Sequence, residues 1–413
     1  MKIFDKIKPH KKVAENYFFL TFLQGANVLI ALLLYPYLIR VLGKETYGTY
    51  VFILSNIQLL NIIIAFGFGT QVMKTISMNP DNVEIKSKIL SEVISARTYL
   101  FIFCGIILSV LIFTVPFVKI NYLLYIILFF TTITSILLPE SYFLGMQKMK
   151  IVTNINLTFK LLTIPFIFIF IKSPSDLLKY TIIVSLSLLL GGFYSFFYIK
   201  FIDKNHIKFL SIKKLKLIFI ESIPFFGINA FGRIKQEAVT FIVGTVLGMS
   251  DVALWDLANK IVYIPRMLTD YINNAIFPSV INNLPRERIK KIIKFDSIIS
   301  IVMILIIILF GYWAVLLIGG KNMLASYPLA IILSITIYTN IIVGCYFNFI
   351  FVPKNHYYFA TKNQIISLVS FLVIVAAGFL FLKNLIILIT AFTFSCILEV
   401  IYCRYLIKKY KLL

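Results

Sequence analysis

About twelve apolar runs, each long enough to cross a bilayer as a helix, are the feature that most constrains this 413-residue chain. A transmembrane helix needs roughly 20 mostly apolar residues, and the intervals between these runs are too short to hold a soluble domain. Only 14% of the residues are charged, whereas a soluble protein has about a quarter. The sequence therefore predicts an all-α polytopic membrane protein. The predicted segments are 16–40, 47–73, 90–118, 122–145, 151–171, 177–202, 221–248, 252–283, 293–318, 325–352, 358–382 and 384–407.

The placement of the basic residues indicates membrane topology rather than nucleic-acid binding. Lys and Arg number 40 against 17 Asp and Glu. With the N-terminus in the cytoplasm, 28 of them fall at cytoplasmic segment ends, seven on the opposite side and five inside segments. Cytoplasmic loops of membrane proteins carry such an excess. We predict a multi-pass membrane protein, with both termini cytoplasmic, that contacts membrane lipids and no nucleic acid.

The polar interval in the middle of the chain predicts two lobes. It divides a six-helix lobe at 1–202 from a second at 221–413, and 203–220 between them reads as an amphipathic cytoplasmic linker. Its apolar residues alternate with lysines, which suits a helix lying on the anionic inner leaflet. The triplet "VLG" recurs at 41–43 and 246–248, an offset of 205 that aligns Gln24 with Asn229. Such a repeat favours a transport path between the lobes.

Segment eight, which contains "DVALWDLANKIVYIPRMLTDYINNAIFP", carries a polar stripe through the predicted membrane. At 100° per residue its polar side chains share one arc. A charge at the centre of a membrane helix costs about 2.5–3.5 kcal/mol, so these groups must face one another or water. Segments one, two, five and seven carry further polar faces. The stripe residues of segments one, two, five, seven and eight include Gln24, Asn61, Lys160, Asn229, Arg233, Glu237, Asp256, Lys260, Arg266 and Asp270.

Two interpretations of these intramembrane charges are open. One is a set of buried ion pairs, for which Arg233 with Glu237 and Asp256 with Lys260 have the i,i+4 spacing. The other is a shared aqueous cavity, which also accounts for Lys160 and for the uncharged polar faces. Four cations against three carboxylates would give that cavity a net charge of +1. Because Arg suits bidentate phosphate binding, the cavity would favour an anionic, phosphate-bearing ligand.

Lys74 and Arg97 would add positive charge at the inner entrance of this cavity. Lys235 points away from the polar face of segment seven and has no predicted role.

No pattern of catalytic or metal-binding residues occurs. The three His residues lie in loops or in the N-terminal tail, and the four Cys residues lie in apolar segments without CxxC spacing. HExxH, P-loop and GxSxG motifs are absent from the sequence. We therefore expect neither enzymatic activity nor a metal or cofactor.

The stretch "LLYPYLIRVLGKETYGTYVFILSNIQLLNIIIAFGFGTQVMKTIS" resembles the start of the polysaccharide-biosynthesis flippases. These are the Wzx-type branch of the multidrug/oligosaccharidyl-lipid/polysaccharide exporter superfamily. The resemblance rests on a first helix ending in Arg40, then "VLGKETYGTY", then a helix closing on "GFG" and Gln71. It implies a MATE-like V of two six-helix lobes around a central cationic cavity. It also implies that a polyprenyl-pyrophosphate-linked oligosaccharide, an O-antigen, capsule or exopolysaccharide repeat unit, is moved from the inner to the outer leaflet of a bacterial inner membrane by alternating access.

The resemblance also suggests roles for the polar residues of the segments. Cations in the cavity would bind the pyrophosphate, and neighbouring amide side chains would bind the sugars. Carboxylates would couple transport to an ion gradient or would form ion pairs. Polysaccharide polymerase and chain-length regulator proteins would be partners. A cation-coupled multidrug exporter of the same fold is the alternative, and there the carboxylates would be essential and the arginines dispensable. A membrane-embedded sugar polymerase or transferase would need a larger outer loop than this chain offers, and a lipid-scrambling or structural protein is a further alternative. The substrate-binding candidates are Arg233, Lys260, Arg266, Lys160, Gln24, Asn229 and Asn61, the entrance candidates are Lys74 and Arg97, and the coupling candidates are Glu237, Asp256 and Asp270.

Overall fold

A computed structural model describes the backbone of residues 2–137, 139–280, 286–351, 353 and 356–413. Side chains are described from residue 15 onward within these ranges, except for residues 17, 139, 228–229, 268–280, 286 and 357. The described chain consists of helices and short turns, with no strand. The helices are α1 (Lys2–Ala65), α2 (Phe68–Met78), α3 (Val83–Thr114), α4 (Pro116–Ile120), α5 (Tyr122–Thr131), α6 (Ile133–Ile136), α7 (Pro139–Gly145), α8 (Met149–Phe170), α9 (Leu177–Phe197), α10 (Lys216–Val246), α11 (Met249–Val280), α12 (Arg286–Gly319), α13 (Ser326–Tyr346), α14 (Tyr357–Phe379) and α15 (Leu385–Lys409).

Helix α1 contains the first predicted segment and residues 47–65 of the second, and it is broken between them. Gly43 has φ 75° and ψ 164°, which is not helical. Only glycine adopts such a backbone without steric strain. The "VLGKETYG" motif therefore places a break at its glycine and restarts the helix immediately after it.

Long apolar helices confirm the predicted fold class. Within the described residues, nine helices are long and apolar enough to cross a membrane, or ten if the bent pair Ile212–Gly227 and Ala230–Val246 counts as one span. The first of them, Phe18–Ala65, includes the break at Gly43. Helix α11, the predicted eighth segment, is not among them. The protein is thus an all-α polytopic membrane protein, and the count of twelve spans stays a prediction.

The chain forms two compact units. Unit 1 comprises Met1–Ala31 and Ile53–Ala230, and unit 2 comprises Leu32–Phe52 and Phe231–Leu413. In unit 1, Phe68, Tyr142 and Phe143 are fully buried in a core that α2, α3, α7 and α8 share. In unit 2, Trp255 and Phe371 are fully buried. The predicted lobe boundaries at residues 202 and 221 stay a prediction.

The prediction of a helix over the linker 203–220 is wrong for its first half. Residues 204–211 have no helical structure, a 3-10 turn follows at Ile212–Leu215, and α10 begins at Lys216. The extended backbone is held by α3, where three serine hydroxyls accept bonds of 2.9 Å from alternate backbone N–H groups. Serines four residues apart on a helix recur about every 6 Å, which nearly matches two residues of extended chain. The pairs of this serine ladder are Ser87 with His206, Ser91 with Lys208 and Ser95 with Leu210.

Candidate functional site

A close backbone approach within unit 2 brings the "VLGKETYG" stretch of α1 against the start of α11. A Cβ placed on Gly48 would lie 1.8 Å from the carbonyl oxygen of Met249, which no side chain could occupy. Arg40, on the other side of the break, donates from Nη2 to the carbonyl oxygen of Leu317 at 2.8 Å. Arg40 therefore anchors the end of the first predicted segment to α12.

This approach builds a group of four side chains that we call the Tyr–Lys cluster: Tyr35, Tyr47, Asp256 and Lys260. The Tyr47 hydroxyl donates to Oδ2 of Asp256 at 2.6 Å. The Lys260 ammonium donates to the same Oδ2 and to the Tyr47 oxygen. It also lies 3.8 Å from the centroid of the Tyr35 ring, within the range of a cation–π contact.

The cluster contains one of the two ion pairs that the i,i+4 spacing allowed. Asp256 and Lys260 form a salt bridge along α11, with side chains 15% and 20% exposed. Lys260 therefore presents no free cation in this state, since its charge is balanced by Asp256 and shared with two aromatic rings. An anion entering the cluster would compete with Asp256 for the ammonium.

Other predicted residues of unit 2 lie on α10 and α11 with different degrees of exposure. Arg233 is exposed, and it has no hydrogen-bonding or ion-pair partner among the residues that the structure describes. Arg266 is half-buried and lies 5.7 Å from the centroid of the Tyr263 ring. Glu237 is half-buried. The side chain of Asp270 lies outside the described residues, as does that of Asn229, which belongs to the part of α10 in unit 1.

In unit 1, the structure places Lys160 beside a neutral partner. Its ammonium donates to Oδ1 of Asn27 at 2.7 Å, which links α8 to α1. Within the described part of the chain no carboxylate lies at ion-pair distance from it. Gln24, one turn before Asn27 on α1, is half-buried. Lys160 is thus a half-buried cation whose charge no contact in the described residues neutralises.

The remaining predicted residues of unit 1 divide between surface and interior. Lys74 is exposed on α2. Asn61 donates to Gln58 at 3.3 Å, and its own Oδ1 is buried without a partner among the described groups. Arg97 is buried, and its guanidinium donates to the carbonyl oxygens of Ala65 and Ser135. Because Ala65 ends α1 and Ser135 lies in the last turn of the short α6, Arg97 satisfies free carbonyls at helix ends. In this conformation Arg97 links α3 to the end of α1 and to α6. Its role at an entrance stays a prediction.

Sequence reasoning missed a second charged group, which lies inside unit 2. Lys235 and Glu399 form a salt bridge of 3.3 Å, with side chains only 6% and 5% exposed. The ammonium also donates to Ser367 at 2.6 Å and contacts the sulfur of Cys396 at 3.4 Å. Glu399 is the sole acidic residue of the last three predicted segments. That isolation, together with an unexplained Lys235, was the signal that could have paired them.

The two charged groups differ in what they can do chemically. The Tyr–Lys cluster is partly accessible and holds a cation that can exchange one anion for another, whereas the Lys235–Glu399 pair is buried on all sides. Among the described residues, no group of three or more His, Cys, Asp or Glu side chains could hold a metal ion. The Tyr–Lys cluster contains one ammonium and one tyrosine hydroxyl that both contact Asp256.

Comparison with known proteins points in one direction. A family model described as "Polysaccharide biosynthesis protein" matches residues 13–284, which is more than half of the chain. Two curated relatives bear the name "Putative O-antigen transporter". The one from Escherichia coli (strain K12) is 25% identical over 281 residues, 68% of this chain and 67% of the relative. The one from Shigella dysenteriae is 26% identical over 269 residues, 64% of this chain and 66% of the relative.

Solved structures share the fold at low sequence identity. "Lipid II flippase MurJ, inward closed conformation" aligns with a TM-score of 0.69 and 14% identity, over 94% of this chain and 87% of that one. A multidrug resistance MATE family transporter of the MOP superfamily, in its inward-facing conformation, aligns with a TM-score of 0.63 and 14% identity, over 92% of this chain and 98% of that one. A MATE family transporter of the same description, solved in an outward-facing conformation, aligns with a TM-score of 0.61 and 14% identity, over 98% of this chain and 97% of that one. The MATE-like fold expected from the sequence is thereby confirmed.

Proposed function

This chain belongs to the polysaccharide biosynthesis protein family, and we propose that it moves a lipid-linked oligosaccharide across a bacterial inner membrane. The cargo would be a polyprenyl-pyrophosphate carrying an O-antigen, capsule or exopolysaccharide repeat unit, transferred from the inner to the outer leaflet. The names of the two curated relatives and the fold shared with a lipid II flippase support this proposal. The chain acts as a transporter in it, not as an enzyme.

The observation that carries the proposal is that Lys160 has no ion-pair partner among the residues that the structure describes. A cation inside a membrane-spanning helix is expensive and usually faces a partner or a wet path. Lys160 has a neutral amide, Asn27, as its partner at 2.7 Å. Glu140 interacts with the ammonium only from beyond ion-pair distance, and a pyrophosphate would place negative charge in direct contact with it. A cationic drug would instead be repelled.

In the proposed mechanism the Tyr–Lys cluster responds to the headgroup by exchanging partners. A phosphate oxygen displaces Asp256 from Lys260, and the Tyr47 hydroxyl stays with the carboxylate it already contacts. The freed carboxylate can then take up a proton, which would couple transport to a proton gradient. Arg233 and Arg266 add charge to the binding path, and Asn229, Asn61 and Gln24 bind sugar hydroxyls. Asp270 and Glu237 serve as further coupling or ion-pair groups.

Alternating access is the proposed route across the membrane. Structures of this fold exist in inward-facing and outward-facing conformations, which supports a cycle in which the headgroup enters from the cytoplasm and leaves outside. The proposal keeps both termini in the cytoplasm, with Lys74 and Arg97 near the entrance. It also keeps polysaccharide polymerase and chain-length regulator proteins as partners.

The test reconstitutes the purified protein into liposomes and follows a fluorescent polyprenyl-pyrophosphate oligosaccharide between leaflets. Lys160→Gln retains a hydrogen-bonding partner for Asn27 and removes the charge. Because a hydrogen bond to a charged group contributes about 1.5–3 kcal/mol, transport at limiting substrate should fall by about 10- to 100-fold. Lys160→Arg should retain most of the activity. Lys172→Gln removes one positive charge outside the helices of the same unit and should have no effect.

Two experimental outcomes would contradict the proposal. Equal transport by wild type and Lys160→Gln would remove Lys160 from headgroup binding. Absence of lipid transport together with efflux of a cationic dye that depends on Asp256 would assign the chain to the multidrug exporters.

A further inference from the structure

A cavity of about 610 Å³ opens in unit 2 where three helices end side by side. It lies between the first turns of α12, the last turn of α13 and the last turns of α15. The positive-inside pattern predicts that this end of the bundle is cytoplasmic. Its lining is unusual in charge, since it contains five basic residues: Lys290, Lys294, Arg404, Lys408 and Lys411.

Among the residues that the structure describes, the lining of the cavity contains no acidic side chain. The other lining residues are Ile293, Tyr346, Ile407 and Leu413, so the lining side chains carry five positive charges and no negative one. A terminal carboxylate on Leu413 would still leave an excess of four. Such a concentration of like charge repels itself unless an anion occupies the site.

Arg404 is held in place without being neutralised. Its Nε donates to the Tyr346 hydroxyl at 3.3 Å, and its Nη2 donates to the Tyr338 hydroxyl at 3.2 Å. Both partners are neutral, so the guanidinium is oriented while its charge remains available. A planar, preoriented guanidinium is well suited to bind a phosphate group through two hydrogen bonds.

An exposed apolar stripe continues from the lysines of the cavity into the membrane-spanning part of α12. At 100° per residue, Ile298 and Ile301 lie on the same side of the helix as Lys290 and Lys294. Both isoleucines are exposed, at 53% and 52%. Cations at the helix end and exposed hydrocarbon deeper along one stripe match a molecule with an anionic head and an apolar tail.

We propose that this cavity binds the phosphate headgroup of an anionic membrane phospholipid, with the acyl chains lying along the Ile298 and Ile301 stripe of α12. Basic recesses between membrane helices on the cytoplasmic side bind such headgroups. The binding does not depend on the transport proposed above. It would fix the end of α15 against α12 and α13 only in a bilayer that contains anionic lipid.

The experiment titrates the purified full-length protein in neutral detergent with cardiolipin, and counts bound lipid by native mass spectrometry. Phosphatidylcholine serves as the zwitterionic comparison. The test variant is Lys290→Gln/Lys294→Gln/Lys408→Gln. The matched control, Lys291→Gln/Lys362→Gln/Lys409→Gln, removes three exposed lysines from α12, α14 and α15 that do not line the cavity. All six positions are exposed, so both variants should fold, and gel filtration checks this.

Each lysine near an anionic headgroup changes affinity by about fivefold. We therefore expect the test variant to lose cardiolipin affinity on the order of 100-fold and the control to lose less than about threefold. Raising the salt concentration to about 0.5 M should weaken binding to the wild type because the charges are exposed. Equal losses in the two triple variants would show a general surface-charge effect and overturn the proposal.

A competition arm separates lipid from soluble phosphate. Inorganic phosphate and pyrophosphate are added at the same phosphate concentration as cardiolipin. The proposal expects neither to displace the lipid, because neither can use the apolar stripe. Displacement at equal concentration would make this a site for a free phosphate and contradict the lipid assignment, as would phosphatidylcholine binding as tightly as cardiolipin.

Discussion

Removing either member of the Lys235–Glu399 pair should destabilise unit 2 far more than removing both. The two side chains are 6% and 5% exposed and their charged atoms lie 3.3 Å apart. At an effective dielectric constant of about 20, their attraction is about 5 kcal/mol. Removing both ions from water opposes this by several kcal/mol per ion, so the pair as a whole contributes little net stability.

The single variants Lys235→Met and Glu399→Leu each leave one buried charge without its partner. Breaking a buried pair in this way costs about 3–5 kcal/mol. The double variant Lys235→Met/Glu399→Leu replaces both ions by apolar side chains of similar size, so we expect its unfolding free energy to lie within about 1–2 kcal/mol of wild type. The exposed Lys383→Met is the control, and it should match wild type.

Reversible unfolding in mixed micelles of dodecylmaltoside and sodium dodecyl sulfate, followed by circular dichroism, measures these free energies. The four proteins form a double-mutant cycle whose coupling energy isolates the pair. We expect strong coupling, because Ser367 and Cys396 cannot by themselves neutralise Lys235. Additive losses in the double variant would refute the reasoning, since they would show that the two charges are stabilised independently. Transport by the double variant, measured in liposomes, shows in addition whether the pair does more than stabilise the fold.

Two further predictions concern the backbone contacts that organise the units. Gly48→Ala should lower the unfolding free energy by about 1–3 kcal/mol, because its Cβ would lie 1.8 Å from the Met249 oxygen. The control is Gly25→Ala, which has nothing within 4 Å of its Cβ and should be neutral or stabilising by up to about 1 kcal/mol. A destabilising Gly25→Ala together with a neutral Gly48→Ala would contradict this packing. Ser91→Ala removes the acceptor of the Lys208 N–H and should speed hydrogen exchange at residues 206–210 by about fivefold, as expected for a loss of about 1 kcal/mol. Ser109→Ala, on an exposed face of the same helix α3, should leave that exchange unchanged, and equal rates in all three proteins would rule out the serine ladder.

The predicted segments of the first half illustrate what can be read from a chain of this kind. Apolar runs of about 20 residues predict membrane-spanning helices directly, because a single segment can pair all of its backbone N–H and C=O groups in hydrocarbon only as a helix. The same reasoning failed over 203–211, where the alternation of apolar residues and lysines suggested a surface helix. There the hydroxyls of Ser87, Ser91 and Ser95 satisfy the backbone instead. A donor or acceptor on a distant helix leaves no trace in the local pattern.

The polar stripe of segment eight was predictable as a line of charges but not in its partners. The spacing of Asp256 and Lys260 allowed an ion pair, and the structure contains it. Nothing in α11 indicated that Tyr47 would complete the group, since that contact spans 209 residues. It depends on the close approach at Gly48, which is a property of the packed helices.

The sequence by itself determined the class of this protein, its apolar segments and the interruption between the first two segments. These follow from local physics, namely the length of hydrocarbon a helix must cross and the conformations open to glycine. Tertiary structure alone decided which charges meet. Lys235 was an unexplained lysine until packing placed it beside Glu399, 164 residues away. A buried charge must be paired somewhere, but which residue pairs with it depends on how the helices pack.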